Sequence, residues 1–157
     1  MNAGTQAEVR QMDSSFRPLK ASEKHILTKL LESEFPGRDE LRRQLESTRA
    51  RQIFDDGTLE LRVDSGPLAT VKNRVPIEAQ CPDGDGVMIH LLLHVVHGMM
   101  DELEVFKEDG SKSLCVPTAD KLTVLTPILT KHLSIPRRDK RGKVPPIQLA
   151  AIPAALI

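Results

Sequence analysis

The hydrophobic positions near the start of the chain recur at three- and four-residue intervals, which is the spacing of one helix face. A first helix is predicted from Ser22, a good N-cap residue, up to the helix-ending pair at 36–37. Its apolar side is formed by Ile26, Leu27, Leu30, Leu31 and Phe35. A second, shorter helix is predicted from Asp39, with Leu41 and Leu45 buried. Neither helix has enough apolar surface to be stable alone, so we expect a helical hairpin packed on another layer.

The hydrophobic period then changes from 3.6 to 2, which is typical of half-buried strands. Segment 58–63 alternates apolar and polar residues, and so does 75–81. Further strands are predicted at 87–96 and 103–107, the latter with Leu103 and Val105 pointing inward. Segment 114–116 is predicted to return as a further strand. Turn signals rich in Gly, Asp and Pro separate these segments. The pattern predicts an α+β fold, in which the N-terminal helical hairpin covers one face of an antiparallel meander sheet.

The character of the chain changes after Pro117. Residues 118–133 have helical spacing with a proline inside, which predicts a kinked helix carrying Leu122, Leu125, Leu129 and Leu133. A basic run at 137–143 follows, and segment 144–157 contains no charge. We therefore divide the chain into a loose leader (1–16), an α+β domain (17–117) and a C-terminal extension (118–157).

Composition narrows the class of protein. The 157 residues suit one domain, and with no Trp or Tyr and only four Phe the core has to be aliphatic. Basic and acidic residues number 22 each, and a neutral chain with few aromatics is a poor candidate for nucleic-acid binding. No segment approaches the ~20 apolar residues of a membrane span. With no apolar N-terminal signal, we predict a cytoplasmic protein whose two cysteines are reduced core thiols.

One polar cluster is predicted on the strands. If Gly84 and Gly98 lie at the centres of two turns, Glu78 faces His90 and His94 faces Glu102. Because side chains alternate between the faces of a strand, Glu104 joins these four residues on one face. The cluster could perform acid–base work, bind a small ligand or hold a divalent metal. The favoured interpretation is a set of cross-strand polar pairs on a solvated face, with no metal or other cofactor.

The same face is too apolar to be fully solvated, because Met88, Leu92 and Phe106 also lie on it. A protein surface is the preferred cover. The charge-free segment contributes Ile147, Leu149 and Ile152 as candidate interface residues, either on its own domain or on a neighbouring copy. We therefore predict a homo-oligomer, with a dimer as the simplest case, or a complex with another protein.

Several segments together carry a resemblance to a known family. They are 17–19 with the helix that follows, 75–79, 93–95, Gly98 and 102–110. The pattern over residues 17–117 resembles a family of small bacterial proteins with a conserved domain of unknown function. The resemblance implies an α+β domain in a bacterium, and it brings no activity, cofactor or catalytic residue.

Enzyme motifs are missing: the chain has no nucleophile elbow, phosphate loop or dinucleotide fingerprint. The leading hypothesis is a non-enzymatic module for protein interaction or self-association. The alternative is a small-ligand-binding protein or an enzyme that uses the His/Glu cluster.

Overall fold

The computed structural model describes residues 15–125. Two helices, α1 (Ala21–Leu30) and α2 (Arg38–Gln44), lie on one side of a seven-stranded sheet. The strands are β1 (Arg17–Pro18), β2 (Thr48–Gln52), β3 (Leu59–Val63), β4 (Ile77–Pro82), β5 (Met88–Val96), β6 (Met99–Lys107) and β7 (Thr123–Leu125). The predicted α+β class with an antiparallel sheet is confirmed. No helix in the described part of the chain is long and apolar enough to cross a bilayer.

The strand order is β1-β2-β3-β6-β5-β4-β7, and every neighbouring pair is antiparallel. The prediction of one continuous meander is therefore wrong. Two three-stranded meanders, β1–β3 and β4–β6, meet where β3 pairs with β6. The connection 64–76 crosses β6 and β5 on its way from β3 to β4. At ordinary strand spacing, β3 and β4 are about 14 Å apart.

The core lies between the helices and the inner face of the sheet, as predicted from the aliphatic pattern. Leu27 and Leu30 of α1, Leu41 of α2, and Leu91 and Leu93 of β5 are all fully buried. Helix α1 contacts β4, and α2 contacts β6. Each helix thus packs on the sheet, while their pairing as a hairpin stays a prediction.

Helix α1 begins at Ala21 with Lys20 as its N-cap, two residues before the predicted N-cap Ser22. The reason is Glu23, whose carboxylate accepts the backbone N–H of Lys20 at 2.8 Å and so satisfies one of the free amides that precede the first turn. The same carboxylate receives both terminal nitrogens of Arg17, at 2.7 and 2.8 Å. This pair ties the helix start to β1.

Two predictions for the residues after β6 are wrong. Residues 114–116 form no strand, because the carboxylate of Asp83 takes the backbone N–H groups of Leu114 and Cys115. Cys115 is consequently exposed, whereas Cys81 is buried as predicted, and both are free thiols.

The predicted helix after Pro117 is absent up to residue 125. A single 3-10 turn, Ala119–Lys121, leads instead into β7, which pairs with β4 at the edge of the sheet. The predicted leader lies almost wholly outside the described residues. The rest of the predicted kinked helix, the basic run and the charge-free segment lie outside them as well.

Candidate functional site: the outer face of β4, β5 and β6

The sheet face opposite the helices, here called the outer face, carries all five residues of the predicted polar cluster. On β4, β5 and β6 these side chains form a grid of cross-strand rows. The first row is Gln80, His90 and Phe106, the second is Glu78, Leu92 and Glu104, and the third is His94 and Glu102. The sequence thus identifies the correct face.

The predicted register between β4 and β5 is wrong by two residues, since Glu78 faces Leu92 and His90 faces Gln80. The turn contains two glycines, and the left-handed conformation falls on Gly86 (φ 86°) rather than Gly84. Asp83 and Val87 close the loop through an N–H to C=O hydrogen bond of 2.8 Å. A three-residue loop with a left-handed glycine at its end is a preferred hairpin geometry, and it centres the turn on Asp85.

The predicted pairing of His94 with Glu102 is correct. The turn between β5 and β6 consists of His97 (φ 50°) and Gly98 (φ 76°), both left-handed as in a two-residue hairpin turn. A β-bulge between His94 and Val95 then adds one residue to β6 and shifts the pairing. The turn centred between His97 and Gly98 and the extra residue of the bulge compensate each other. His94 therefore faces Glu102, as it would if the turn were centred on Gly98 and had no bulge beside it.

His94 makes its closest polar contact with Glu104 rather than with Glu102. The His94 Nε2 to Glu104 Oε2 distance is 2.8 Å, and both side chains are largely shielded from solvent. Because a carboxylate accepts the hydrogen bond, Nε2 carries a proton. The other ring nitrogen, Nδ1, is buried and has no hydrogen-bond partner among the described residues.

Burial shifts the pKa values of the neighbouring ionisable groups. It raises the pKa of Glu78, which is only 7% exposed, and it also raises the pKa of Glu102. Burial lowers the pKa of His90, whose ring stacks on Phe106 with the ring centroids 5.1 Å apart. This part of the outer face therefore favours neutral side chains.

Two apolar residues of the outer face are nearly inaccessible to solvent: Leu92 is 8% exposed and Phe106 is 7% exposed. Neither belongs to the core cluster formed with the helices on the inner face. Met88, in the same part of the sheet, is half-buried. The outer face thus has an apolar centre of its own, as the alternation predicted.

The β2–β3 end of the outer face has a different character, because charged side chains cover it. Arg51 pairs with Glu60, and Arg62 pairs with Asp64. The ring of Phe16 lies under both guanidinium groups, each 4.8 Å from the ring centroid, a cation–π distance. The apolar area is therefore confined to β4, β5 and β6.

Metal binding by this cluster has no geometric support in residues 15–125, where no three His, Cys, Asp or Glu side chains approach closely enough to hold an ion. The predicted interface residues Ile147, Leu149 and Ile152 lie outside the described residues.

One buried charged cluster is missed by sequence reasoning. The ammonium of Lys107 lies 3.0 Å from Asp83 and 2.5 Å from Asp85, and Lys107 and Asp83 are buried. The only signal for it is that Lys107 falls on an inward position of β6, after Leu103 and Val105. The cluster joins the end of β6 to the turn between β4 and β5.

Fold and site together define a small α+β protein with a helix-covered sheet and a partly apolar, partly ionisable outer face. The chain belongs to a family described as Domain of unknown function (DUF6984), whose model matches residues 16–117. The resemblance over residues 17–117 is thereby confirmed. No curated protein and no solved structure matches the chain.

Proposed function

We propose that this protein is a non-enzymatic self-association module, and that its outer face binds a second copy of the chain. The observation that carries the proposal is a second apolar centre, Leu92 and Phe106, on the sheet face opposite the helices. These two side chains are already shielded within the chain, so a second copy would contact the half-buried side chains around them, among them Met88 and His90. The pKa of Glu78, raised by burial, is compatible with such an environment.

The charge-free segment 144–157 supplies the rest of the contact. Strand β5 has nine residues, so three strands present a face of about 14 by 30 Å, or roughly 420 Å². A stable complex buries about 800 Å² per partner, and an apolar arm would add the missing area. Leu125, the last described residue, pairs with Glu78 of the second row.

The test is the molar mass of the full chain in solution, measured by light scattering at rising concentration. We expect about twice the 17.4 kDa of one chain. Met88→Glu places a charge on the half-buried edge of the outer face and should give the monomer mass. Ile152→Glu, in the segment beyond the described residues, should do the same.

Leu68→Glu is the matched control, because Leu68 is 65% exposed in the connection between β3 and β4. It should leave the mass unchanged. A single-chain mass at every concentration up to about 100 μM, or an unchanged mass for both outer-face and arm variants, would overturn self-association. Capture of a different protein by a monomeric chain would also count against it.

The second candidate, a ligand-binding or enzymatic role for Glu78, His90, His94, Glu102 and Glu104, is favoured by one observation. His94 Nδ1 is buried without a partner while Nε2 is held by Glu104, which leaves one ring nitrogen open for a ligand or a proton. A thermal-shift screen of the native chain and His94→Ala tests it. A compound that stabilises only the native chain supports the role, and the absence of any such compound contradicts it.

A further inference from the structure

A cavity of about 420 Å³ lies on the inner side of the sheet, separate from the outer face. Its floor consists of sheet side chains that are otherwise part of the core: Leu59, Leu91, Leu103 and Val105. Its walls are the start of α1 and the turn between β2 and β3, and residues 112–117 form its roof. A cavity of this size with a mostly apolar lining is typical of sites for small molecules.

The roof of the cavity, residues 112–117, has no regular structure but is held in place by specific bonds. Asp83 accepts the N–H of Leu114 at 2.8 Å and of Cys115 at 2.9 Å, and Lys107 fixes that carboxylate from below. The site is therefore formed before any ligand arrives, which lowers the entropic cost of binding.

The apolar lining continues to the outside of the roof. Leu114 is 67% exposed and Val116 is 84% exposed, and both line the cavity. A bound molecule could therefore extend apolar contacts from the floor to the mouth. This continuity favours an elongated apolar body over a compact polar one.

The charged groups at the mouth are not equivalent. Glu23 is neutralised by Arg17, and Asp56 caps its own turn by accepting the Thr58 N–H at 3.0 Å. Lys20 and Lys112 line the same mouth and make no ion pair with any described residue. Among the described residues, the rim charges without an ion pair are thus the two ammonium groups and the exposed carboxylate of Asp55.

A buried hydroxyl group is also left without a partner. Ser113 lines the cavity, and its Oγ is shielded from solvent with no hydrogen bond to any described residue. An unsatisfied buried hydroxyl is unfavourable, so Ser113 can be replaced without the loss of a hydrogen bond to any described residue.

We infer that this cavity binds a small anionic amphiphile, whose aliphatic body contacts Leu59 and Leu103 and whose carboxylate lies between Lys20 and Lys112. Decanoate is the probe, kept below its micelle concentration, with decanol and decylamine as neutral and cationic analogues. Binding is followed by methyl NMR shifts and titration calorimetry on the full chain. The expected order of affinity is decanoate, then decanol, then decylamine.

Variants of the rim test the head-group assignment. Lys112→Glu should weaken decanoate binding about tenfold, because it replaces an attraction by a repulsion of similar size, and it should leave decanol unchanged. Lys72→Glu, an exposed lysine that does not line the cavity, is the matched control and should have no effect. Asp55→Asn should leave decanoate binding equal or slightly tighter.

Ser113→Leu tests the location, because it both fills the cavity and removes the hydroxyl group, so it should abolish the methyl shifts of Leu59 and Leu103. Decylamine binding as tightly as decanoate would overturn the proposal. So would shifts confined to Leu92 and Phe106 of the outer face, or no shift with any probe. If Ser113→Leu does not fold, Lys112→Glu at the exposed rim decides the question alone.

Discussion

At the scale of single residues, the side chain of Gln44 links three segments of the backbone. None of the polar residues predicted from the sequence as site candidates links as many. Its amide nitrogen donates to the carbonyl groups of Pro67 and Gly98, each at 2.7 Å, and its amide oxygen accepts the N–H of Met100 at 3.1 Å. The residue is fully buried. It therefore fixes the turn between β5 and β6 and the crossing connection to one point on α2.

Gln44→Leu should lower the free energy of unfolding by about 3 kcal/mol, because the Pro67 carbonyl and the Met100 N–H lose their side-chain partner, while the Gly98 carbonyl keeps the N–H of Ala69. Urea denaturation measures this value. Gln52→Leu is the matched control, since Gln52 is exposed and bonds only its neighbour Phe54; it should cost under about 0.5 kcal/mol. Equal effects of the two substitutions would contradict the role given to Gln44.

Asp83 acts through its ionised state. The amides of Leu114, Gly84 and Cys115, with the ammonium of Lys107, hold the pKa of this carboxyl far below its ordinary 3.8. A pKa lowered by folding means that the carboxylate stabilises the protein above pH 3.8, and that this contribution is lost as the pH falls below that value.

Asp83→Asn should therefore lower the melting temperature at pH 7 and make it less sensitive to pH between 5 and 3 than in the native chain. Asp39→Asn, at an exposed position on α2, should retain the native pH dependence. Melting curves recorded by circular dichroism at pH 7, 5 and 3 give both comparisons. A native pH profile in Asp83→Asn would show that this carboxylate does not stabilise the fold as described.

At the scale of elements, the two turns that flank β5 decide which side chains meet on the outer face. Both use left-handed glycines, but their surroundings differ. A Cβ atom on Gly98 would lie 2.9 Å from the backbone oxygen of Ala69, whereas a Cβ on Gly86 would meet nothing within 4 Å. Gly98 is thus required by both conformation and close approach, and Gly86 by conformation alone.

Gly86→Ala should cost about 1 kcal/mol, the strain of a left-handed alanine. Gly98→Ala should cost about 3 kcal/mol or more, because the connection 64–76 would have to move away. Chemical denaturation of the two variants gives the difference. Equal costs would indicate that Ala69 does not approach the turn as the structure has it.

The same turns show how far sequence reasoning reaches. Alternation alone predicts which residues share the outer face, because a period of two is set by the strand itself. It cannot predict register, since the choice between Gly84 and Gly86, and the bulge after His94, depend on local backbone energies and tertiary packing. This is why the sequence places Glu78 on the correct face but pairs it with the wrong residue of β5.

At the scale of the whole molecule, long-range contacts are what the sequence does not reveal. The pairing of β3 with β6 and the addition of β7 beside β4 join segments far apart in the chain, and no local pattern encodes them. Asp83 likewise binds a segment about thirty residues away, and no local pattern indicates that this bond takes the place of the predicted strand at 114–116. The aliphatic core, by contrast, follows directly from the spacing of Leu, Ile and Val.

The central claim at this scale is that a second copy covers the apolar centre of the outer face. The most direct measurement is an isotope-filtered nuclear Overhauser experiment on a mixture of labelled and unlabelled full-length chains. Self-association predicts intermolecular signals at the methyl groups of Leu92 and the ring of Phe106, lost in Met88→Glu. Signals to these two residues from their own chain alone, at concentrations where the mixture is fully exchanged, would contradict the claim.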